Sequence, residues 1–329
     1  MSEALSPCGL IFAYQLDGKG GGLTLDLRTT LAPGQPVPAG IHWLHFDGQH
    51  QGARQWLRGE SGLDSVAVDG LLGRNPRPRA SVTGDQVLLS LRGLSMEPSA
   101  PADDMLSVVA WTNGARIITC RDRPAQAIAD LRRDLEHGHG PTDTGEFLSQ
   151  LAERLVSAMD DLIAGAEADT DRLGQTGARG NTSALVEELA GIRRRMIRLG
   201  RYLGPQRRAL THLAVAPLTW LNHDDRALLH ATAEQTAEFE DSLRSALEVA
   251  EITQDELLQR SSEKTAQRVY VLTLISAVFM PLSFVTGLFG VNLAGIPAAE
   301  HPLAFATLSA SLLGLVAAQL LIFKRKGWF

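Results

Sequence analysis

Apolar residues follow three different patterns along the chain. Up to about Arg121 they come in short runs, Ile41-His42-Trp43-Leu44-His45-Phe46, Gln86 to Leu91 and Met105 to Trp111, which predict strands. Turn signals at Gly18 to Gly22, Ala32 to Gly40 and Asn75 to Pro78 separate them, with Trp56 and Leu57 on an intervening helix. From Asp143 the period changes. Phe147, Leu148, Leu151, Leu155, Met159 and Leu162 recur at helical spacing, and a second such stretch from Thr182 to about Leu213 completes a predicted antiparallel helical pair. Asn222 then caps a third helix whose first turn holds Asp224 and Asp225, the charge favoured at the positive end of a helix dipole. Neither glycine nor proline follows until Pro281, so a helix from Asn222 to Val291 would be ~105 Å long.

The third pattern is unbroken apolarity. Val269 to Val291 runs 23 residues without a charge, and Leu303 to Phe323 runs 21 residues whose most polar member is Gln319. As helices at ~1.5 Å per residue, both cover a hydrocarbon core of ~30 Å, so two membrane spans are predicted. Pro281 reads as a kink, tolerated in a bilayer where a neighbour satisfies the freed carbonyl. Lys264 and Arg268 precede the first span, Lys324, Arg325 and Lys326 follow the second, and Asn292 to Pro302 has neither Lys nor Arg, which places both termini on the cytoplasmic side. The expected division is an α/β cytosolic domain over 1–142, a helical pair over 143–221, a stalk helix over 222–268, spans over 269–291 and 303–323 around an external loop at 292–302, and a basic end at 324–329.

Composition narrows the function. Across 329 residues, 31 basic and 37 acidic side chains give a formal charge of −6, which offers no electrostatic case for nucleic acid. Cys8 and Cys120 are far apart and form no CxxC, so neither a disulfide framework nor a thiolate zinc site is encoded. The first 30 residues carry acids and a glycine run where a secretory signal would carry a basic and then an apolar segment, so none is expected. No nucleophile stands beside a base, and Asp17-Gly18-Lys19-Gly20-Gly21-Gly22 lacks the spacing of a phosphate loop, so a turn is expected there and no enzyme activity or cofactor is implied.

The candidate chemistry lies along the first span. Thr273, Ser276, Met280, Ser283 and Gly287 recur at intervals of 3, 4, 3 and 4, the period of a packed seam or of a pore-facing stripe. Continued downward in heptads, the register reaches Asp255, Glu248 and Asp241, which symmetry would turn into acidic rings. Residues 222–262 hold ten carboxylates against three arginines, and Arg193, Arg194, Arg195, Arg198, Arg201, Arg207 and Arg208 provide a neighbouring basic helix. A solvated face with its counter-charges remains the plainer reading of both. His42, His45 and His50 read as structural or surface residues, as does His137-Gly-His139. Because a two-span hairpin encloses no pathway, conduction would require several copies of the chain.

The outer end of the stripe carries a resemblance. Gly290-Val291-Asn292 closes the first of two C-terminal spans and is similar to the Gly-Met-Asn signature of CorA-type divalent-cation transporters. The valine and the following Gly295-Ile296-Pro297 resemble the ZntB zinc-transporter branch, as do Leu16 to Gly21, Trp43-Leu44-His45, Arg77-Pro78-Arg79, Gly140 to Asp143 and Pro205-Gln206-Arg207. The resemblance implies a homopentamer in a bacterial-type inner membrane, in contact with lipid and divalent metal ions, with a selectivity filter at Gly290, Val291 and Asn292. It places the stripe and Asp255 along the pore, and matches a basic collar to Lys324, Arg325 and Lys326. Glu300 and His301 lie on the external loop. The transported ion would be zinc or a related divalent cation, by import. A magnesium or cobalt channel gated by cytosolic metal, zinc efflux, and a membrane-tethered scaffold stay open. Neither span contains His, Cys, Asp or Glu, so no dehydrated zinc site exists there, and Asn292 would instead hydrogen-bond the water shell of a hydrated ion.

Overall fold

The computed structural model describes residues 8–25, 40–73, 76–95, 104–176, 182–291 and 301–328. It divides into two compact units, Met1–Gln254 and Asp255–Phe329.

The first unit is built on a sheet of seven strands: β1 (Leu10–Leu16), β2 (Gly22–Thr24), β3 (Ile41–Asp47), β4 (Arg79–Thr83), β5 (Gln86–Leu94), β6 (Met105–Thr112) and β7 (Arg116–Arg121). Their order across the sheet is β2-β1-β3-β7-β6-β5-β4, antiparallel throughout except for the parallel pair β3 and β7. The three strands expected from apolar runs are β3, β5 and β6. Those runs are near-continuous rather than alternating because both sheet faces are covered. On one face Leu44, Phe46, Leu88, Val109, Trp111 and Ile118 pack on Trp56 and Leu57 of α1 (Gln51–Gly59) and Val68 and Leu71 of α2 (Ser65–Leu71). On the other, Trp43 meets Phe147 with ring centroids 4.8 Å apart. Phe147 lies on α4 (Thr144–Ser157), beside α3 (Gln126–His137).

The helical region departs from the expected pair. α4 ends at Ser157, Ala158 and Met159 turn, and α5 (Asp160–Thr176) starts afresh. Met159 N–H bonds back only three residues, to Val156 O at 2.9 Å, which tightens the turn and rotates the following helix. The apolar register therefore shifts by one residue, so that Ile163 is buried and Leu162 only half-buried. No glycine or proline marks this break; its signal is the acidic pair Asp160-Asp161 in the first turn of α5. α6 (Thr182–Ala214) runs antiparallel to α5, with Arg172 to Glu188 at 2.9 Å and Arg195 to Asp169 at 3.1 Å. It is also antiparallel to the first part of α7 (His223–Phe289), with Arg207 to Glu240 at 3.2 Å and Arg193 reaching Gln254. Two arginines of the basic helix thus meet the acidic helix, whereas Arg195 is held by α5.

The predicted cap of α7 is present. Asn222 Oδ1 accepts from Asp225 N at 2.9 Å, while Asp225 Oδ2 accepts from Asn222 N at 3.1 Å, a reciprocal capping box. The connector before it is held by Arg226, whose guanidinium donates to the carbonyls of Ala214, Ala216, Leu218 and Leu221 at 2.7–3.2 Å.

The second unit contains the rest of α7, through Phe289, and α8 (Ala304–Arg325). Each helix has a window of mean hydropathy 2.0, and none of either window is buried within the chain.

Candidate ion pathway

Such exposure is the first property of the site. An apolar surface of this extent, left bare by the described residues, needs lipid or further copies to cover it. α7 has two distinct faces here. Leu274, Ala277, Val278, Pro281, Leu282 and Val285 are half-buried, and so, on α8, are Leu308, Leu312, Leu315, Val316 and Gln319. Gln319 joins the two, its Nε2 donating to Ala277 O at 3.4 Å. Asp255, Thr273, Ser276, Met280, Ser283 and Gly287 are all exposed. At ~100° per residue they fall within an arc of ~80°, centred ~150° from the half-buried face. These residues therefore form one exposed surface of α7, turned away from the second span.

The chemistry of that surface is mild. Thr273 and Ser276 donate their hydroxyls to Val269 O and Leu272 O at 2.8 and 2.9 Å, leaving oxygen lone pairs outward. Met280 is 72% exposed. A Cβ on Gly287 would meet no heavy atom within 4 Å, so no contact among the described residues requires glycine there. Gly290, by contrast, closes the helix: its N–H bonds Thr286 O at 2.9 Å and Gly287 O at 3.2 Å. Val291 follows and is exposed, and Asn292 and Glu300 lie outside the described residues. His301 sits just before α8, where its Nδ1 accepts from Leu303 N at 3.2 Å.

In the first unit Asp241 and Glu248 are both exposed on the face opposite buried Leu243, Ala246 and Ala250. They are one heptad apart, a drift of only ~20° on a straight helix. Asp241 is paired with Arg244 at 3.0 Å, so an acidic ring there would be partly neutralised by its own chain. Lys324 and Arg325 close the last turn of α8 and Lys326 caps it, all exposed, where cations suit the negative helix end. Beside them Trp328 stacks on Phe323 with centroids 5.1 Å apart, and Trp328 O accepts from the Tyr270 hydroxyl at 2.5 Å. This aromatic pair, missed in the sequence, is the kind that anchors spans at a membrane–water interface; Phe323 and Trp328 on either side of the basic residues, and Tyr270 just after Arg268, were its available signal.

The remaining candidates are structural. Asp17 Oδ1 accepts from Lys19 N at 2.7 Å and Gly21 N at 2.9 Å, a turn that holds its carboxyl below the usual range. His45 is buried, its Nδ1 2.7 Å from Thr119 Oγ1, and burial keeps it well below the ordinary histidine range. His42 is also buried, and His50 caps α1 by accepting from Gly52 N at 3.1 Å. His137 Nδ1 is held by Arg133 O at 2.7 Å. Among the described residues no three His, Cys, Asp or Glu side chains gather as a metal site. Burial pushes the Cys120 thiol up.

A covered sheet domain, one helix continuing into an apolar span and a second apolar helix ending in basic residues define a two-span membrane protein. Residues 38–325 match the family described as CorA-like Mg2+ transporter protein, and the chain belongs to it. It is 36% identical over 323 residues to the divalent cation transporter CmaX of Pseudomonas aeruginosa, covering 97% of each chain. To the zinc transport protein ZntB of Yersinia enterocolitica it is 32% identical over 320 residues, covering 95% of this chain and 94% of that one. Among solved structures, full-length CmaX superposes with a TM-score of 0.83 at 33% identity, covering 98% of this chain and 99% of the other. The CorA magnesium transporter of Methanocaldococcus jannaschii shares the fold at TM-score 0.79 and 18% identity, covering 97% and 99%.

Proposed function

We propose that this protein carries divalent cations, zinc among them, across the inner membrane through the central pore of a homopentamer, in the inward direction, with both termini cytoplasmic. The exposed small and polar face of α7 carries this reading. Thr273, Ser276, Met280, Ser283 and Gly287 share one face, turned away from α8, and Gly287 has open space around it among the described residues. A ring of such faces makes a path lined by hydroxyl, thioether and backbone, suited to an ion that keeps its water. Gly290 and Val291 stand at its outer end, with Asn292 next in sequence as the filter that the resemblance implies. A membrane potential, negative inside, favours entry of a doubly charged ion by ~4.6 kcal/mol per 100 mV, and no carboxylate or histidine lies within either span to couple efflux to protons. Names of relatives support both zinc and a broader divalent range.

The test is ion entry into proteoliposomes holding the purified oligomer, with zinc and magnesium indicators at fixed potential, with and without a pH gradient. Zinc entry driven by the potential is the expected result. Magnesium entry that cytosolic-side magnesium shuts off would replace it with a gated magnesium channel, and absence of flux would leave a tethered scaffold. Asn292→Asp, adding up to five negative charges at the filter, is expected to change flux or ion preference while the oligomer persists on size exclusion. Unaltered flux and selectivity would remove Asn292 from the filter.

A further inference from the structure

In an α-helix each carbonyl accepts from the N–H four residues on, so Ala277 O should bond residue 281. Residue 281 is proline and has no N–H, which leaves Ala277 O without its helical donor. The side chain that reaches this carbonyl is Gln319 of α8, with Nε2 donating at 3.4 Å. Gln319 is the most polar residue of the second span, and a polar side chain in hydrocarbon is costly unless it is used. Its Oε1 is enclosed and has no hydrogen-bond partner among the described residues, so the contact to α7 is made through Nε2. Ala277 and Pro281 both lie on the half-buried face of α7, and Pro281 stands between Met280 and Ser283 of the exposed stripe.

We propose that Gln319 is a positioning residue for the ion path: by supplying the donor that Pro281 lacks, it fixes the bend of α7 and with it the placement of Met280 and Ser283. The proposal rests on the reading of α7 as the pore helix. A proline-broken turn can relax in several ways, and the carbonyl it frees turns toward whichever donor is at hand. Tying that carbonyl to α8 selects one of them. Loss of the tie leaves the span helical, with its bend less defined.

The experiment is a double-mutant cycle in the full-length protein in lipid, with Gln319→Met, Pro281→Ala and both together. Methionine keeps the length and bulk of glutamine without the donor, and alanine at 281 restores the N–H that bonds Ala277 O. One readout is the distance distribution between spin labels at Val271→Cys and Phe289→Cys, in a Cys8→Ala, Cys120→Ala background with labelled protomers diluted among unlabelled ones. The other is zinc flux. Gln319→Met alone is expected to broaden the distribution and to change flux by about threefold, the factor that ~0.6 kcal/mol for a hydrogen bond between membrane helices represents. With Pro281→Ala present, Gln319→Met should change neither. An equal effect in both backgrounds would show that Gln319 acts by packing and would overturn the proposal, as would a distribution left unchanged by Gln319→Met alone. Because the distances report the bend without any ion moving, a parent protein that carries no zinc would refute the transport reading while the cycle still decides the role of Gln319.

Discussion

Arg226→Ala is expected to lower the stability of the first unit by ~3–4 kcal/mol. One guanidinium donates to four backbone carbonyls: Ala214 at 2.8 Å, Ala216 at 2.7 Å, Leu218 at 3.1 Å and Leu221 at 3.2 Å. Ala214 is the last residue of α6, so the cation also meets the negative end of a helix dipole. Hydrogen bonds to a charged group contribute ~1.5–3 kcal/mol each, but four made by one side chain are not additive. Lysine cannot replace it, because a single ammonium lacks the planar fork that spans the four acceptors. Arg226→Lys should therefore recover less than half of the loss, and Arg226→Met, which keeps the stem but no donor, almost none. Denaturant unfolding followed by tryptophan fluorescence would report this through Trp220, which lies in the connector and donates Nε1–H to Asp85 O at 2.8 Å. Hydrogen exchange should speed up first at residues 215–221. Unchanged exchange in Arg226→Ala would show that the connector is held by its other contacts.

Those four carbonyls show why part of the structure is hidden in the sequence. Strands β3, β5 and β6 were legible because burial on both faces demands continuous apolar runs, and the two spans because hydrocarbon thickness sets their length. The cap at Asn222 was legible because capping is local, with both partners within three residues. The exposed stripe was legible because helical period alone places Thr273 and Gly287 on one side. Arg226 was not, because its acceptors are backbone atoms of any residue type and its role depends on where the chain before it turns. The break after Ser157 was hidden because a three-residue bond at Met159 needs neither glycine nor proline. Gln319 and Ala277 are 42 residues apart, so their contact follows from the packing of two spans. Pro281 announced that some donor was needed without naming it.

A second large effect is expected at Asp225, and it depends on pH. The residue is buried against the start of α4, where a Cβ on Gly145 would lie 2.0 Å from Asp225 Oδ2. Burial pushes its carboxyl up from 3.8 to about 6; the Asn222 N–H opposes this, and Asp143, which caps α4, Glu146 of α4 and its own neighbour Asp224 add to it. The folded protein therefore holds this proton more tightly than the unfolded chain, so ionising Asp225 costs stability. The favourable contribution is fully present below about pH 3.8, falls as pH rises through about 6, and is absent above that. A rise of about two units corresponds to at most ~3 kcal/mol. Asp225→Asn keeps an oxygen for the Asn222 N–H and fits the same space without a charge. At pH 7.5 it should stabilise the protein by ~1–3 kcal/mol, and at pH 4.5 the gain should shrink, because the parent carboxyl is then largely protonated as well. Thermal melts of parent and variant at both values provide the comparison, and the difference between them cancels the titrating groups that do not interact with Asp225. An equal gain at both pH values would assign the effect to packing, and a loss at pH 7.5 would mean that the charge on the helix dipole outweighs its burial. The stated pattern would mean that Asp225, in the first turn of α7, favours the folded state as a protonated carboxyl, so that this one group favours folding in mild acid and opposes it at neutral pH.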